Sequence, residues 1–263
     1  MVKKFECKKC GKCCRNLRGR TKRKEPPSLP PDLFGNLSMS ERTIMLIEWE
    51  VTDLQLVAEG LTVDFRVKPD FMIWDDLSNV PLVLSWNLDH DDCPFISKEN
   101  RCLAQDRKPL VCQSYPLQVS GLVGETDRMS FLLSDCPNAM PLPFEMNKPL
   151  KIQTLYKEAF EVYAHTFDGI LRFEGARRLV IERLSQLTKK WIIFPAVIDE
   201  EVKKSLLHEK PLGLIEHLRI KYPEAFKELA ESVRSIYEID TYSVLAMCQA
   251  KDKKDEQQAK GPR

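Results

Sequence analysis

The sequence predicts an α+β protein in which an irregular, cysteine-rich domain of short strands and one helix precedes a helical C-terminal domain. Eight of the nine cysteines fall within the first 136 of the 263 residues. The same part carries short apolar runs typical of strands, whereas apolar residues recur at helical spacing from Pro149 onward. We place the domains at 1–147 and 148–248, followed by a polar tail at 249–263 whose composition is typical of disorder.

The N-terminal domain contains two strand-like runs and one helical pattern. The runs VPLVLSW (80–86) and RMSFLL (128–133) indicate strands because they are rich in apolar and β-branched or aromatic residues. The stretch from 38 to 60 is predicted as a helix, with Ser40 as its N-cap and Gly60 near its end.

The C-terminal domain is predicted to consist of successive amphipathic helices. One apolar stripe runs from Leu155 to Thr166, and a clearer one runs from Ala176 to Trp191. Further helices are predicted at 198–207, 211–220 and 223–239, the last two opening on proline, which is favoured in a first helical turn. The four tryptophans, Trp191 included, are assigned to the hydrophobic core.

The composition excludes several classes of protein. With 43% hydrophobic and 30% charged residues, the chain fits neither a disordered nor a fibrous protein. A net charge of +1 gives the whole molecule no bias toward nucleic acid or membrane. No apolar run has the ~18 residues needed to cross a bilayer, and the N-terminus lacks the apolar stretch of a secretory signal. We therefore expect a cytoplasmic protein with no membrane partner.

The segment CKKCGKCCR (7–15) concentrates four thiols within eight residues. In a reducing compartment, metal binding or redox chemistry is the expected use of such thiols. A C-x-x-C turn lets two thiolates reach one metal ion, and the first three cysteines form two such turns, with Gly11 suited to the positive φ of a tight turn. Because Cys13 and Cys14 are neighbours, we expect their side chains to diverge and one of them to serve another centre.

The remaining cysteines are widely spaced and match no common metal motif. A zinc ribbon needs a second C-x-x-C, a Cys2His2 finger needs two nearby histidines, and radical S-adenosylmethionine chemistry uses C-x-x-x-C-x-x-C. The bacterial ferredoxin spacing also differs, since Cys14 follows Cys13 directly. The acidic run DHDD (89–92) beside Cys93 is interpreted as a solvated turn; the alternatives are a ligand role for His90 or a hard-metal site formed by Asp89, Asp91 and Asp92.

No common enzyme signature accompanies the cysteines. The chain lacks G-x-G-x-x-G, a P-loop, G-x-S-x-G and H-E-x-x-H. Whether the protein is an enzyme therefore stays open, and the catalytic residues are unknown.

Two segments of the sequence carry a family resemblance. The first is FECKKCGKCCR, and the second, about eighty residues later, is CPFISKENRCLAQDRKPLVCQSYPL. In their order and in the doubled cysteine they resemble the YkgJ-type cysteine cluster proteins, a zinc- or iron-chelating C-x-x-C-x-x-C-C family. The resemblance covers roughly residues 5 to 137. Lys108 and Gln113 depart from the family pattern, which usually has arginine at both positions, and Arg107 is a candidate substitute for the missing charge.

The resemblance implies a metal-binding domain whose ligands are eight cysteines. In this sequence they are Cys7, Cys10, Cys13, Cys14, Cys93, Cys102, Cys112 and Cys136. An all-thiol set without histidine favours an iron–sulfur cluster, of the [4Fe-4S] type, over zinc, which is the alternative. The flagellin lysine-N-methylase, a relative of the family, is understood to carry such a cluster, so protein lysine methylation is a further alternative by analogy alone.

The cysteines of the first motif lie in a strongly basic segment. Residues 1–24 contain eleven Lys or Arg and the single acid Glu6. Nearby cations favour thiolates by lowering their pKa, so part of this charge is expected to serve the metal site. The rest is available to an unidentified protein partner or substrate, with contact to nucleic acid as the less favoured use because no aromatic residues are interleaved.

Overall fold

A computed structural model describes residues 5–17, 37–38, 44–119, 128–129, 131–133, 136–139, 150–196, 202, 205 and 208–238. It confirms the α+β class and the helical character of the C-terminal region. The helices are α1 (Glu48–Leu61), α2 (Leu110–Gln113), α3 (Ile152–Lys189), α4 (Leu214–Lys221) and α5 (Pro223–Glu238). The strands are β1 (Leu37–Ser38), β2 (Met45–Ile47), β3 (Val67–Asp75), β4 (Val80–Leu88), β5 (Leu117–Val119), β6 (Arg128–Met129), β7 (Phe131–Leu133), β8 (Leu150–Lys151) and β9 (Leu212–Gly213).

The main sheet is built around the β3–β4 hairpin. Its strand order is β1-β3-β4-β2, all antiparallel, and β9 pairs in parallel with β4. The hairpin turn is closed by Asp75, whose carboxylate accepts the backbone N–H of Ser78 at 3.1 Å, and Asn79 takes a positive φ of 54°. Two smaller antiparallel pairs, β5 with β7 and β6 with β8, lie outside this sheet.

One face of the sheet packs on the C-terminal helices. Phe71 and Ile73 of β3, with Leu82 and Leu84 of β4, share a buried cluster with apolar residues of α3, α4 and α5. Since β9 also lies in the C-terminal region, that region contributes both a strand and a helical layer to the sheet. The boundary at 147 stays a prediction.

A second cluster lies under α1. Leu46, Leu54, Ala58, Phe95 and Ala104 form its buried part. Two of the cysteines, at 93 and 102, pack against its edge as partly buried side chains. The apolar face of α1 therefore supports the segment that carries the later cysteines.

The first turn of α1 stabilises the ends of two other helices. The Glu50 carboxylate accepts the N–H of Ile47 at 2.9 Å and that of Leu110, at the start of α2, at 2.7 Å. The Glu48 carboxylate accepts the N–H groups of Ile215 and Glu216, in the first turn of α4, at 2.7 and 3.0 Å. Helix N-termini carry unsatisfied N–H groups and partial positive charge, which these carboxylates match.

The two helical stripes predicted after Pro149 belong to a single long helix. Helix α3 runs from Ile152 to Lys189 and is interrupted at Tyr163, whose φ of −122° and ψ of 30° are not helical. At this kink the Val162 carbonyl accepts the N–H of Phe5 at 2.8 Å, and the Phe5 and Tyr163 rings lie 5.2 Å apart. The start of the described chain is thus anchored on α3.

Several sequence predictions differ from the structure. The helix predicted from 38 begins only at Glu48, because Met45–Ile47 pair with β4 as strand β2. Trp191 lies beyond the end of α3 and is 70% exposed, so its assignment to the core is wrong. It stacks instead on Phe194, with ring centroids 5.4 Å apart.

Other predictions fall outside the described residues. They include Ser40, most of the helix predicted at 198–207 and the tail at 249–263. The helices predicted at 211–220 and 223–239 are confirmed as α4 and α5, with the start of α4 moved to Leu214 by strand β9. In the described part of the chain, no helix combines the length and the apolar character needed to cross a bilayer.

We predict that Glu50→Ala destabilises the protein by about 2–4 kcal/mol, because it leaves the buried N–H groups of Ile47 and Leu110 without an acceptor. Chemical denaturation measures the effect. Glu59→Ala, in the same helix but exposed, is the control and should change stability by less than about 0.5 kcal/mol. Equal effects of the two substitutions would contradict the assigned role of Glu50.

The stability of the fold should also depend on pH through Glu50. Burial raises the pKa of its carboxyl from 4.5 to about 7, against the opposing hydrogen bonds from Leu110 and Ile47. The folded state therefore holds an extra proton between these values, and stability falls as the pH rises through this window, by about 3 kcal/mol in total.

Glu50→Gln removes this titration and provides the test. The free energy of unfolding of the variant, relative to that of wild type, should rise by about 3 kcal/mol between about pH 4.5 and about pH 8. Denaturation of both proteins at each pH measures this difference. A difference between the two proteins that is constant with pH, or that changes in the opposite direction, would show that Glu50 titrates normally.

Candidate metal centre

The first cysteine motif folds as a compact knuckle, residues 5–17. Lys9 and Gly11 take positive φ values of 51° and 71°, which confirms the expected role of the glycine. The N–H of Lys9 points to the Cys7 sulfur at 3.4 Å, as in metal-binding C-x-x-C turns. Residues Lys12–Cys14 then form a single turn of 3-10 helix closed by the N–H of Cys14 on the Gly11 carbonyl at 2.9 Å.

The knuckle is held against the segment that contains the later cysteines. The N–H of Cys93 donates to the Cys14 carbonyl at 2.7 Å, and the N–H of Leu17 donates to the Asp91 carbonyl at 2.6 Å. The carboxylate of Asp92 accepts the N–H of Asn16 at 2.8 Å. These bonds join parts of the chain that are more than seventy residues apart.

The loop between Cys93 and Cys102 also packs against the knuckle. Arg15 donates to the Asn100 side-chain oxygen at 3.0 Å, and an added side chain at Gly11 would collide with Asn100 and Ile96. Ile96 pairs with Cys102 in an antiparallel bridge, which closes the loop. Glycine at position 11 therefore allows a close approach as well as a tight turn.

Five thiols are brought together by these contacts. The Cys13 and Cys14 sulfurs lie 3.7 Å apart, so the expectation that neighbouring side chains diverge is wrong. Cys14 also shares a hydrogen bond with the Cys93 thiol and interacts electrostatically with Cys102. Cys112, on α2, interacts electrostatically with both Cys13 and Cys14. We call Cys13, Cys14, Cys93, Cys102 and Cys112 the thiol group.

Ionisation of two members of the thiol group, Cys14 and Cys112, is costly without a cation. A hydrogen bond with Cys13 lowers the pKa of the Cys14 thiol, but the Cys93 hydrogen bond, burial and the neighbouring thiols outweigh it and raise the pKa to about 11. Burial raises the pKa of the Cys112 thiol well above its ordinary value. The charge of Lys108 opposes this shift, so lysine acts at the position where the family pattern has arginine.

Arg107 does not supply the positive charge that is missing at Gln113. Its guanidinium lies 3.3 Å from the carboxylate of Asp53, on α1. Gln113 instead donates to the Lys108 carbonyl at 2.6 Å and closes the turn that carries Cys112. The lysine is therefore the nearby cation that the structure provides to this thiol.

Three predicted ligands lie outside the thiol group. Cys7 and Cys10 are exposed in the knuckle. Cys136 is partly buried in a turn, where its carbonyl accepts the N–H of Ala139 at 2.9 Å, and the described residues include no contact between it and the other thiols. Across the described ranges, no three His, Cys, Asp or Glu side chains form a closed metal-binding arrangement.

The acidic run at 89–92 has a structural role. His90 is buried, and its Nε2 accepts the N–H of Arg66 at 2.9 Å. Asp92 pairs with Arg15 at 3.4 Å in addition to its bond with the knuckle backbone. Sequence reasoning missed this role, since a charged turn gives no sign of a distant backbone partner.

Helix α2 sets the position of Cys112 by packing closely on α3. A methyl group at Gly169 of α3 would lie 2.6 Å from the Gln113 carbonyl carbon and 2.7 Å from the Ser114 nitrogen. Such distances are too short for any side chain. A glycine in the middle of a long helix was therefore an unrecognised signal for the site.

The chain belongs to the family whose model is described as "Putative zinc- or iron-chelating domain" and labelled CxxCxxCC. The match covers residues 6–137, half of the chain, and includes all eight predicted ligands. It confirms the resemblance found in the sequence and assigns the protein to a metal-chelating class. No curated protein and no solved structure matches the chain.

The thiol group fits a zinc or iron centre by its chemistry. Thiolates are the ligands that both metals accept in fully cysteine-bound sites. The separation of the Cys13 and Cys14 sulfurs, 3.7 Å, matches one edge of a four-sulfur tetrahedron. Such an edge is about 3.8 Å long when each sulfur lies about 2.3 Å from the ion.

We predict that Gly169→Ala displaces α2 and weakens metal retention by Cys112, with a loss of stability of about 1–3 kcal/mol from the forced contact. Gly175→Ala is the matched control, because the nearest atom to its new methyl group would be Ile236 Cγ2 at 4.0 Å. That variant should be neutral or more stable by up to about 1 kcal/mol. Metal content after dialysis and denaturation curves give both readouts; a Gly169→Ala protein that matches the control would refute the close packing.

Proposed function

We propose that the protein binds two thiolate-ligated metal centres through Cys7, Cys10, Cys13, Cys14, Cys93, Cys102, Cys112 and Cys136, and that at least one centre is an iron–sulfur cluster of the [4Fe-4S] type. The observation that carries this proposal is that the doubled cysteine of the knuckle interacts with three thiols that are about eighty to a hundred residues away in the sequence. Thiols that converge from distant segments are typical of a metal centre that stabilises a loop-rich domain.

The number of thiols supports a cluster or a second centre. A single tetrahedral ion takes four ligands, whereas the thiol group contains five members before Cys7, Cys10 and Cys136 are added. His90, three residues before Cys93, uses its Nε2 to accept the N–H of Arg66. All-thiol ligation suits iron–sulfur clusters.

A structural zinc site is the second candidate, because the Cys13 and Cys14 sulfurs are as close as two ligands of one ion. In a [4Fe-4S] cluster each cysteine binds a different iron, which holds ligand sulfurs farther apart. Under the cluster proposal, one sulfur of this pair serves each centre. Under the zinc candidate, both bind the same ion.

Metal and sulfide analysis of anaerobically purified protein separates the two candidates. We expect iron together with acid-labile sulfide, and a broad visible absorption that bleaches on reduction. Stoichiometric zinc without sulfide would reject the cluster and leave the thiol ligands in place. Purified protein with neither metal, even after reconstitution under reducing conditions, would reject the metal-binding proposal.

Substitution of single cysteines tests the ligand set. We expect Cys14→Ser and Cys102→Ser each to lower the affinity for metal by at least about tenfold, since each substitution removes one strong ligand. Cys248→Ser is the control, because this cysteine lies outside the matched residues 6–137. Full metal content in the first two variants would exclude those cysteines as ligands.

A further inference from the structure

The knuckle and the loop beside it form an exposed basic edge on the thiol group. Three exposed lysines alternate with the cysteines of the knuckle: Lys8 and Lys9 lie between Cys7 and Cys10, and Lys12 directly precedes Cys13. Lys98 and Arg101 are exposed on the loop whose Asn100 contacts Gly11 and Arg15. We call Lys8, Lys9, Lys12, Lys98 and Arg101 the basic edge.

These five charges are not neutralised within the described part of the chain. Arg15 has its own partner in Asp92, 3.4 Å away, but no member of the basic edge forms an ion pair with a described carboxylate. The nearby acids Glu6 and Glu99 are exposed. The five positive charges outnumber these two acids, so the edge carries an excess of positive charge on the knuckle that contains Cys7 and Cys10 and on the adjoining loop.

The positive charge of this surface favours some chemical forms of the incoming metal over others. A hydrated divalent cation is repelled by several exposed positive charges, whereas a complex with net negative charge is attracted. Free metal ions would thus approach their thiol ligands against the local field. A complex is attracted by this field when the negative charge of its carboxylates or thiolates exceeds the positive charge of the metal.

We propose that the basic edge receives metal from small anionic metal complexes and steers them to Cys7 and Cys10, the exposed thiols of the knuckle. The inference rests on the proposed metal-binding function and adds the chemical class of the metal donor. It also gives a further role to two cysteines that lie outside the thiol group: they make first contact with the donor, and the partly buried thiols then bind the metal as well.

The transfer is an exchange of ligands. Bonds between the metal and the donor carboxylates break as bonds between the metal and sulfur form, and the metal keeps its oxidation state. The protons of the thiols pass to the released carboxylates or to water. The positive edge assists because it attracts the incoming anion.

Cobalt(II) uptake by the reduced, metal-free, full-length chain tests the proposal. Cobalt is offered as the doubly positive aquo ion, as the neutral complex with iminodiacetate and as the singly negative complex with nitrilotriacetate. The absorption of thiolate-bound cobalt gives the rate in stopped flow. The variants are Lys8→Gln/Lys9→Gln/Lys12→Gln and Lys98→Gln/Arg101→Gln, and the control is Lys210→Gln/Lys221→Gln/Arg234→Gln, which removes exposed charges elsewhere.

In the triple variant of the knuckle, uptake from the nitrilotriacetate complex should slow by at least about threefold at about 0.02 M salt. Uptake from the neutral complex should be unchanged, and uptake of the aquo ion should be unchanged or faster. The difference should vanish at about 0.5 M salt, where charges are screened. The loop variant should show the same pattern, and the control should behave as wild type.

The inference is overturned if the knuckle variant takes up the anionic complex at the wild-type rate, or if all three donors slow equally. It is also overturned if the control variant reproduces the effect. In each of these cases cobalt still binds, so the proposed function stands. Absence of uptake from every donor would reject the proposed function itself, which is a different result.

Discussion

The structure depends on the backbone hydrogen bond between the Cys93 N–H and the Cys14 carbonyl, 2.7 Å long, and on the contacts around it. This bond fixes the doubled cysteine against the segment that carries the later thiols. The N–H of Asn16 donates to the Asp92 carboxylate and that of Leu17 to the Asp91 carbonyl, and both bonds join the same two segments. Without these bonds, the knuckle would be held by Phe5 on α3 and by the contacts of Arg15 and Gly11 with the loop at Asn100.

Helix α1 supports the segment that carries Cys93 and Cys102 as well as the first turns of α2 and α4. Its apolar face packs beside Cys93 and Cys102, while Glu50 and Glu48 accept N–H groups at the starts of α2 and α4. Burial raises the pKa of both carboxyls to about 7, so each buried acid costs stability when it ionises. A metal centre offsets such costs, since its binding free energy adds to that of folding.

The sequence predicted the class of fold and the metal chemistry because both rest on local patterns. The β4 strand, α4, α5 and the positive φ of Gly11 follow from periodicity or turn chemistry. The start of α1 and the position of Trp191 did not follow, because pairing of Met45–Ile47 with β4 and the end of α3 at Lys189 are set by tertiary contacts. Propensity and periodicity do not include such contacts.

The geometry of the candidate site was less accessible still. Three features of the site follow from no periodic pattern in the sequence. They are the close approach of α2 to Gly169, the hydrogen bond from the Leu110 N–H to Glu50 and the 3.7 Å separation of the Cys13 and Cys14 sulfurs. A buried glutamate and an interior helical glycine look unfavourable in isolation. Each is explained once its distant partner is known.

Site-resolved alkylation of the cysteines, read by mass spectrometry during stepwise removal of metal, tests the central claim most directly. If the knuckle and the later segment share metal, each step that makes Cys13 or Cys14 reactive should also make at least one of Cys93, Cys102 and Cys112 reactive. Reaction of Cys13 and Cys14 while Cys93, Cys102 and Cys112 stay protected would show that the two segments do not share a centre.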